Sequence, residues 1–157
     1  MFNIVLVEPE IPANTGNIAR SCLATGARLH LVKPLGFSLD DRQLKRAGLD
    51  YWKDVQVSVW DSLDAMFDST DSEQMHRFFL TTKCERPYYE QRFEQNDWLV
   101  FGRETKGLPE PLLAANRERL LTIPMTSQTR SLNLAVAVGI VLFEAMRQVR
   151  TAPTEHV

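Results

Sequence analysis

Apolar runs bounded by turn residues recur along the chain at Ile4 to Val7, Leu29 to Val32, Val55 to Val59, Phe78 to Leu80, Trp98 to Phe101 and Leu120 to Ile123. Short runs of this kind predict strands, several of them buried on both faces. Between them the pattern predicts helices over Thr15 to Thr25, Asp41 to Ala47, Ser62 to Phe67 and Ser131 to Val149, with a short turn after Pro109. Strand and helix alternate, so the expected class is α/β, a largely parallel sheet with flanking helices. Connections are short, and no segment is repeated, low in complexity or rich enough in Pro and Gly to act as a linker. One domain over 1–157 is expected, with 151–157 a frayed tail.

The last predicted helix differs from the others. Leu134 to Phe143 is apolar on every side rather than along one stripe, which predicts a helix buried all round. A chain of this size has little protein with which to cover it, so a second subunit is a plausible cover. Glu144 then needs a partner or water, because a buried unpaired carboxylate is costly. The run is too short for a bilayer, which needs roughly 20 residues. Met1 to Glu8 has neither a basic leading region nor a cleavage site and reads as a core strand rather than a signal peptide. Cys22 and Cys84 show no CxxC spacing, so reduced thiols are expected and a cytoplasmic location with them. His30, His76 and His156 have no spacing for a metal site or a triad; His30 lies within a strand pattern, where a structural role fits.

The formal net charge of -2 and the pI near 5.9 argue against a general nucleic-acid coat protein. Distribution matters more than the total: Arg42, Lys45 and Arg46 form a basic cluster, either a solvated helix face or a local patch for a polyanion. No GxGxxG follows the first strand, and neither GxxxxGK[ST] nor GxSxG occurs. Dinucleotide-binding, P-loop and nucleophile-elbow chemistries are disfavoured accordingly.

Three other segments carry polar groups at the ends of predicted strands. After the first comes Asn14-Thr15-Gly16-Asn17-Ile18-Ala19-Arg20. Asn14 or Thr15 is a good N-cap, and Arg20 follows about one turn into the helix, near the strand end where open α/β sheets bind ligands. Alone, this is equally an ordinary turn and a surface arginine. The second segment is Gly102-Arg103-Glu104-Thr105-Lys106-Gly107, whose glycines allow a tight turn and close approach to a ligand. The third, Ile123-Pro124-Met125, leads through a polar loop to Ser131-Leu132-Asn133, where Ser131 is a candidate N-cap and Ile123 and Met125 offer apolar contact to a flat ring.

The order and context of these motifs resemble the SPOUT superfamily of methyltransferases, in its SpoU/TrmH branch. The pattern N-x-G-x-x-x-R appears as Asn14, Gly16 and Arg20, and G-x-E-x-x-G as Gly102, Glu104 and Gly107. I-P-M followed by S-L-N and an apolar helix appears as Ile123-Pro124-Met125 and Ser131-Leu132-Asn133. Between the motifs, Glu8 to Pro12, Leu35-Gly-Phe37, Asp40-Asp41 and Arg46 to Tyr51 look like the TrmL (YibK) subfamily, so the resemblance spans Met1 to about Val149. It departs at Arg103, where relatives often carry proline, and at Phe143, where they often carry tyrosine.

The resemblance implies a C-terminal deep trefoil knot, an exception to unknotted chains, and a homodimer. It implies S-adenosylmethionine as cofactor and S-adenosylhomocysteine as product, with Leu80, Thr81, Gly102, Glu104, Gly107, Ile123, Met125, Ser131 and Leu132 as cofactor-binding residues. No metal is implied. The implied activity is 2'-O-methylation of the wobble nucleotide, position 34, in the anticodon loop of leucine tRNAs. Arg20, Asn133 and Glu104 are the implied catalytic group, and Asn14, Asn17, Arg20, Arg42, Lys45 and Arg46 the expected RNA contacts. A guanidinium stays cationic, so Arg20 is expected to stabilise a developing alkoxide and position phosphate rather than to remove a proton. 2'-O-methylation of another tRNA position or of ribosomal RNA is the nearest alternative; a non-catalytic RNA-binding or assembly factor is the alternative of another class.

Overall fold

The computed structural model describes residues 1–70 and 76–151; the expected tail lies, from 152 on, outside the described residues. Six strands form one parallel sheet: β1 (Asn3–Val7), β2 (Arg28–Val32), β3 (Val57–Trp60), β4 (Arg77–Leu80), β5 (Trp98–Phe101) and β6 (Leu120–Leu121), in the order β3-β2-β1-β5-β4-β6. Five helices flank it: α1 (Pro12–Thr25), α2 (Arg42–Gly48), α3 (Leu63–Ser69), α4 (Glu110–Ala115) and α5 (Leu134–Thr151).

Residue alternation along the strands builds two cores. Ile4, Leu6, Leu29, Leu31, Leu99 and Phe101 meet Ile18, Ala19 and Cys22 of α1 and Val138, Val141 and Leu142 of α5 on one side. Val5, Val7, Val32, Phe79 and Val100 meet Met66 of α3 and Leu113 of α4 on the other. All of β1 is therefore buried, as its unbroken apolar run requires. α2 packs on α1 rather than on the sheet.

Several boundaries differ from those the sequence predicts. α1 begins three residues before Thr15, because Pro12 takes the first helical position, where its fixed φ and missing N–H cost nothing. Ile11, not Asn14 or Thr15, is the N-cap, and it offers no side-chain hydrogen bond. Asn14 and Thr15 are buried inside the first turn, and the Thr15 hydroxyl has no partner among the described residues. At the other end Gly26 adopts φ 75°, and the amides of Gly26 and Ala27 return to Leu23 and Cys22. The third strand starts at Val57 rather than Val55, and β6 stops at Leu121; beyond it Thr122 pairs only with the 86–88 segment, through Arg86, Pro87 and Tyr88.

α5 starts at Leu134, so Ser131 lies outside it. Asn133 is the cap instead: its Oδ1 accepts from the amides of Ala135 and Val136 at 2.9 and 3.3 Å. Nor is the helix buried all round. Leu134, Val138, Val141, Leu142 and Ala145 face the core, whereas Val136 and Phe143 are 51% and 53% exposed. Glu144 has its partners in Arg147 and Gln148, 2.8 to 2.9 Å away.

Candidate active site

The strands end at a common edge, and the loops leaving β4, β5 and β6 enclose a cavity of about 310 Å³ there. Leu80 and Thr81 line it from β4, Gly102, Glu104 and Gly107 from the loop after β5, and Ile123, Met125, Ser131 and Leu132 from the segment before α5. All nine expected cofactor-binding residues thus share one wall system, although they come from three loops. Open α/β sheets bind ligands beyond the carboxyl ends of their strands, where helices and loops leave a crevice.

The loop after β5 closes on itself. Gly107 has φ +66°, its amide bonds the carbonyl of Arg103 at 2.9 Å, and a Cβ at Gly102 would stand 2.1 Å from the carbonyl carbon of Gly107. Only glycine at 102 permits this approach. The loop also grips the chain between β1 and α1 through three successive residues. Arg103 pairs with Glu8 at 3.1 Å. Glu104 accepts from the amides of Glu10 and Ile11 at 2.8 and 3.0 Å and from Asn14 Nδ2 at 3.3 Å. Thr105 donates to Glu10 from its hydroxyl and its amide, at 2.6 and 3.2 Å, and these bonds hold the Glu10 carboxyl below its usual range. Glu104 therefore supplies from a distant loop the N-terminal carboxylate that Ile11 lacks as a cap, a favourable place for negative charge.

Asn14 joins all three motifs. Its Nδ2 donates to Glu104, and its Oδ1 accepts from Asn133 Nδ2 at 2.9 Å. The amide is buried at 6% exposure, so both of its ends are fixed. Asn14 is thus a link between loops rather than a residue on an open RNA surface.

Arg20 does not line the cavity. It lies on the exposed side of α1 and lines a second cleft with Asn17, Ser21, Asn133, Ala135 and Val136. Asn17 is turned back on its own helix, donating to the carbonyl of Ala13 at 3.0 Å. Arg42, Lys45 and Arg46 are exposed on α2 and line neither the cavity nor this cleft; Lys45 pairs with Asp40 at 3.5 Å. Sequence reasoning passed over Thr82, Lys83, Lys106 and Arg130, which also line the cavity. Their signal was position: Thr82 and Lys83 directly follow a strand, Lys106 lies within the second motif, and Arg130 directly precedes the Ser131-Leu132-Asn133 part of the third.

Among the described residues no group of His, Cys, Asp and Glu is placed to hold a metal ion, and no helix is long and apolar enough to cross a membrane. Burial pushes the Cys22 thiol up to about 12, and both cysteines are free.

A parallel sheet with a cavity built from loops at the carboxyl ends of its strands is the ligand-binding arrangement of open α/β proteins. The SpoU rRNA Methylase family profile matches residues 1–143. The chain belongs to this family, and it is a methyltransferase. It is 48% identical over 149 residues to the tRNA (cytidine(34)-2'-O)-methyltransferase of Burkholderia pseudomallei, covering 94% of this chain and 96% of that one. It is 48% identical over 157 residues to the enzyme of the same description from Polaromonas, covering 99% and 96%. A solved structure described as "Structural insights into the 2-OH methylation of C/U34 on tRNA" superposes with a TM-score of 0.89 at 48% identity, over 94% of this chain and 95% of that one. An AdoMet-bound rRNA methyltransferase from Sinorhizobium meliloti superposes at 0.83 with 26% identity, over 93% of this chain and 56% of that one.

Proposed function

We propose that the protein transfers a methyl group from S-adenosylmethionine to the ribose 2'-hydroxyl of the wobble nucleotide, cytidine or modified uridine, of leucine tRNAs, releasing S-adenosylhomocysteine. The observation that carries this reading is the convergence of the second and third motifs and the loop after β4 on one cavity, with the first motif tied to them through the Asn14 amide. Relatives described as acting on cytidine 34 of tRNA at 48% identity support the target.

The cavity fits the cofactor. Its volume is at the lower end for small-molecule sites, and Ile123, Met125 and Leu132 offer apolar contact to a flat ring while Thr81, Thr122 and Ser131 offer polar groups. When bound, the cofactor supplies an electrophilic methyl on a sulfonium. The chain's part is alignment, the larger share of such a transfer. Gly102 and Gly107 shape the loop that holds the donor, and Glu104 fixes that loop to the start of α1. Asn133 sets the start of α5. Arg20 stabilises charge developing on the 2'-oxygen and orients phosphate, and the proton passes to water.

A homodimer belongs to the same reading. Val136, Ile140 and Phe143 recur at helical spacing and form one apolar stripe, with Val136 and Phe143 exposed and Ile140 half-buried between them. Val136 also lines the Arg20 cleft. A second copy seated on the stripe therefore approaches Arg20, which works at the seam between subunits rather than in its own cavity. The trefoil knot belongs here too, as the resemblance to the SpoU/TrmH branch implies. So do the single domain and the cytoplasmic location, the latter supported by a tRNA target.

The test incubates the protein with labelled S-adenosylmethionine and tRNA from a strain lacking the gene, then maps the product by nuclease digestion and mass spectrometry. A 2'-O-methyl group at the wobble position of leucine tRNA is expected, and Arg20→Ala should lower turnover about 100-fold while cofactor binding persists. Methylation only of ribosomal RNA would replace the target, and cofactor binding without transfer to any RNA would replace the activity.

A further inference from the structure

The mouth of the cavity carries four cations, Lys83, Arg103, Lys106 and Arg130, on three separate loops. Two are neutralised: Lys83 pairs with Glu110, and Arg103 with Glu8. Lys106 and Arg130 are exposed and neither forms a salt bridge among the described residues, although the Lys106 charge adds to the Thr105 hydrogen bonds that lower the pKa of the nearby Glu10 carboxyl. Glu104, the one carboxylate among the described residues lining the cavity, already accepts from two backbone amides and Asn14. The rim therefore holds two cations without a salt-bridge partner among the described residues, on a chain whose net charge is -2.

We propose that Lys106 and Arg130 are a phosphate clamp that holds the RNA backbone on either side of the target ribose. This rests on the reading of the protein as an RNA 2'-O-methyltransferase. S-adenosylmethionine has an ammonium and a sulfonium against one carboxylate, so a cationic rim does not match its overall charge. A 2'-oxygen presented to the cavity, in contrast, brings two flanking phosphates across the mouth, because its ribose carries one phosphodiester on the 5'-oxygen and another on the 3'-oxygen. The chain as a whole repels a polyanion, so affinity must come from local cations placed where the phosphates pass. Lys106 contributes a flexible point charge, and Arg130 a planar fork suited to two phosphate oxygens.

The test compares the wild type, Lys106→Gln, Arg130→Gln and the double variant. Affinity for the leucine tRNA is read by fluorescence anisotropy across a salt series, and affinity for S-adenosylmethionine by calorimetry. The double variant should bind tRNA about tenfold more weakly at near-physiological salt, with the log–log salt slope shallower by about 1.4, the value for two lost single-strand phosphate contacts. Cofactor affinity should change less than about twofold. Arg28→Gln removes a charge from the opposite end of the sheet, at the start of β2, and should change tRNA affinity less than about twofold. Wild-type tRNA affinity and slope in the double variant would overturn the clamp while the parent enzyme stood. Loss of cofactor affinity with tRNA binding intact would overturn it in favour of a cofactor-carboxylate site. Wild-type protein that binds cofactor and no RNA would remove the parent reading, and the clamp with it.

Discussion

His30 is enclosed on β2 with both ring nitrogens engaged. Trp60 Nε1 donates to its Nδ1 at 3.2 Å, which leaves Nε2 as the donor to Asn3 Oδ1, also at 3.2 Å, while the ring stacks 4.6 Å from Trp98. Burial, aided by the nearby Arg28 charge, lowers its pKa to about 4. Above pH 6.5 the imidazole is neutral folded or unfolded and contributes no pH dependence. As pH falls from 6.5 towards 4, the unfolded chain takes up a proton that the folded one refuses, so stability is lost by up to about 3 kcal/mol. Asp97 works in the opposite direction, since burial raises its carboxyl and acidification relieves that penalty. Denaturant titrations of wild type and His30→Gln at pH 7 and pH 4 separate the two: the stability advantage of the wild type should shrink by up to about 3 kcal/mol at the lower pH. A structural histidine was legible from its place in a strand pattern. Its partners were not, because Asn3 and Trp60 become neighbours only through the pairing of β1, β2 and β3. Arg103 was marked as a departure from the family pattern, and its counterion Glu8, 95 positions away, likewise emerges only from the fold.

The grip of the β5 loop on the start of α1 belongs to the scale of elements. Glu104→Gln keeps the size of the side chain but turns a doubly accepting carboxylate into an amide whose NH2 faces donors. Charged hydrogen bonds of this kind contribute about 1.5 to 3 kcal/mol each, discounted here for partial exposure. The variant should lose about 2 kcal/mol of stability, with faster amide exchange at Glu10 and Ile11; unchanged exchange there would show that the clamp is dispensable. Periodicity placed the helices, and the starts at Asp41 and Ser62 fall on capping residues, but those of α1 and α5 are misplaced for a common reason. Polar residues near an apolar run look like caps, yet Asn14 faces another loop and Ser131 precedes the true cap by two positions. Pro12, at the first helical position, was the local signal for the earlier start of α1.

At the scale of the whole molecule, alternation of strand and helix disclosed the parallel α/β class, but strand order lies in long-range pairing. Nothing in the local pattern of β4 announces that it runs between β5 and the two-residue β6. The all-apolar run of α5 predicts burial on every side, whereas the fold packs one face into the core and leaves Val136 and Phe143 exposed. Val136→Glu with Phe143→Glu places two charges on the open stripe. The wild type should sediment as a dimer and this variant as a monomer in analytical ultracentrifugation, while a monomeric wild type would leave the stripe to another partner. The relay from Glu104 through Asn14 to Asn133 spans chain separations of 90 and 119 residues. Its last member follows every strand of the sheet in the chain, so all six strands can be made before the hydrogen bond that ties Asn14 to the start of α5 can form.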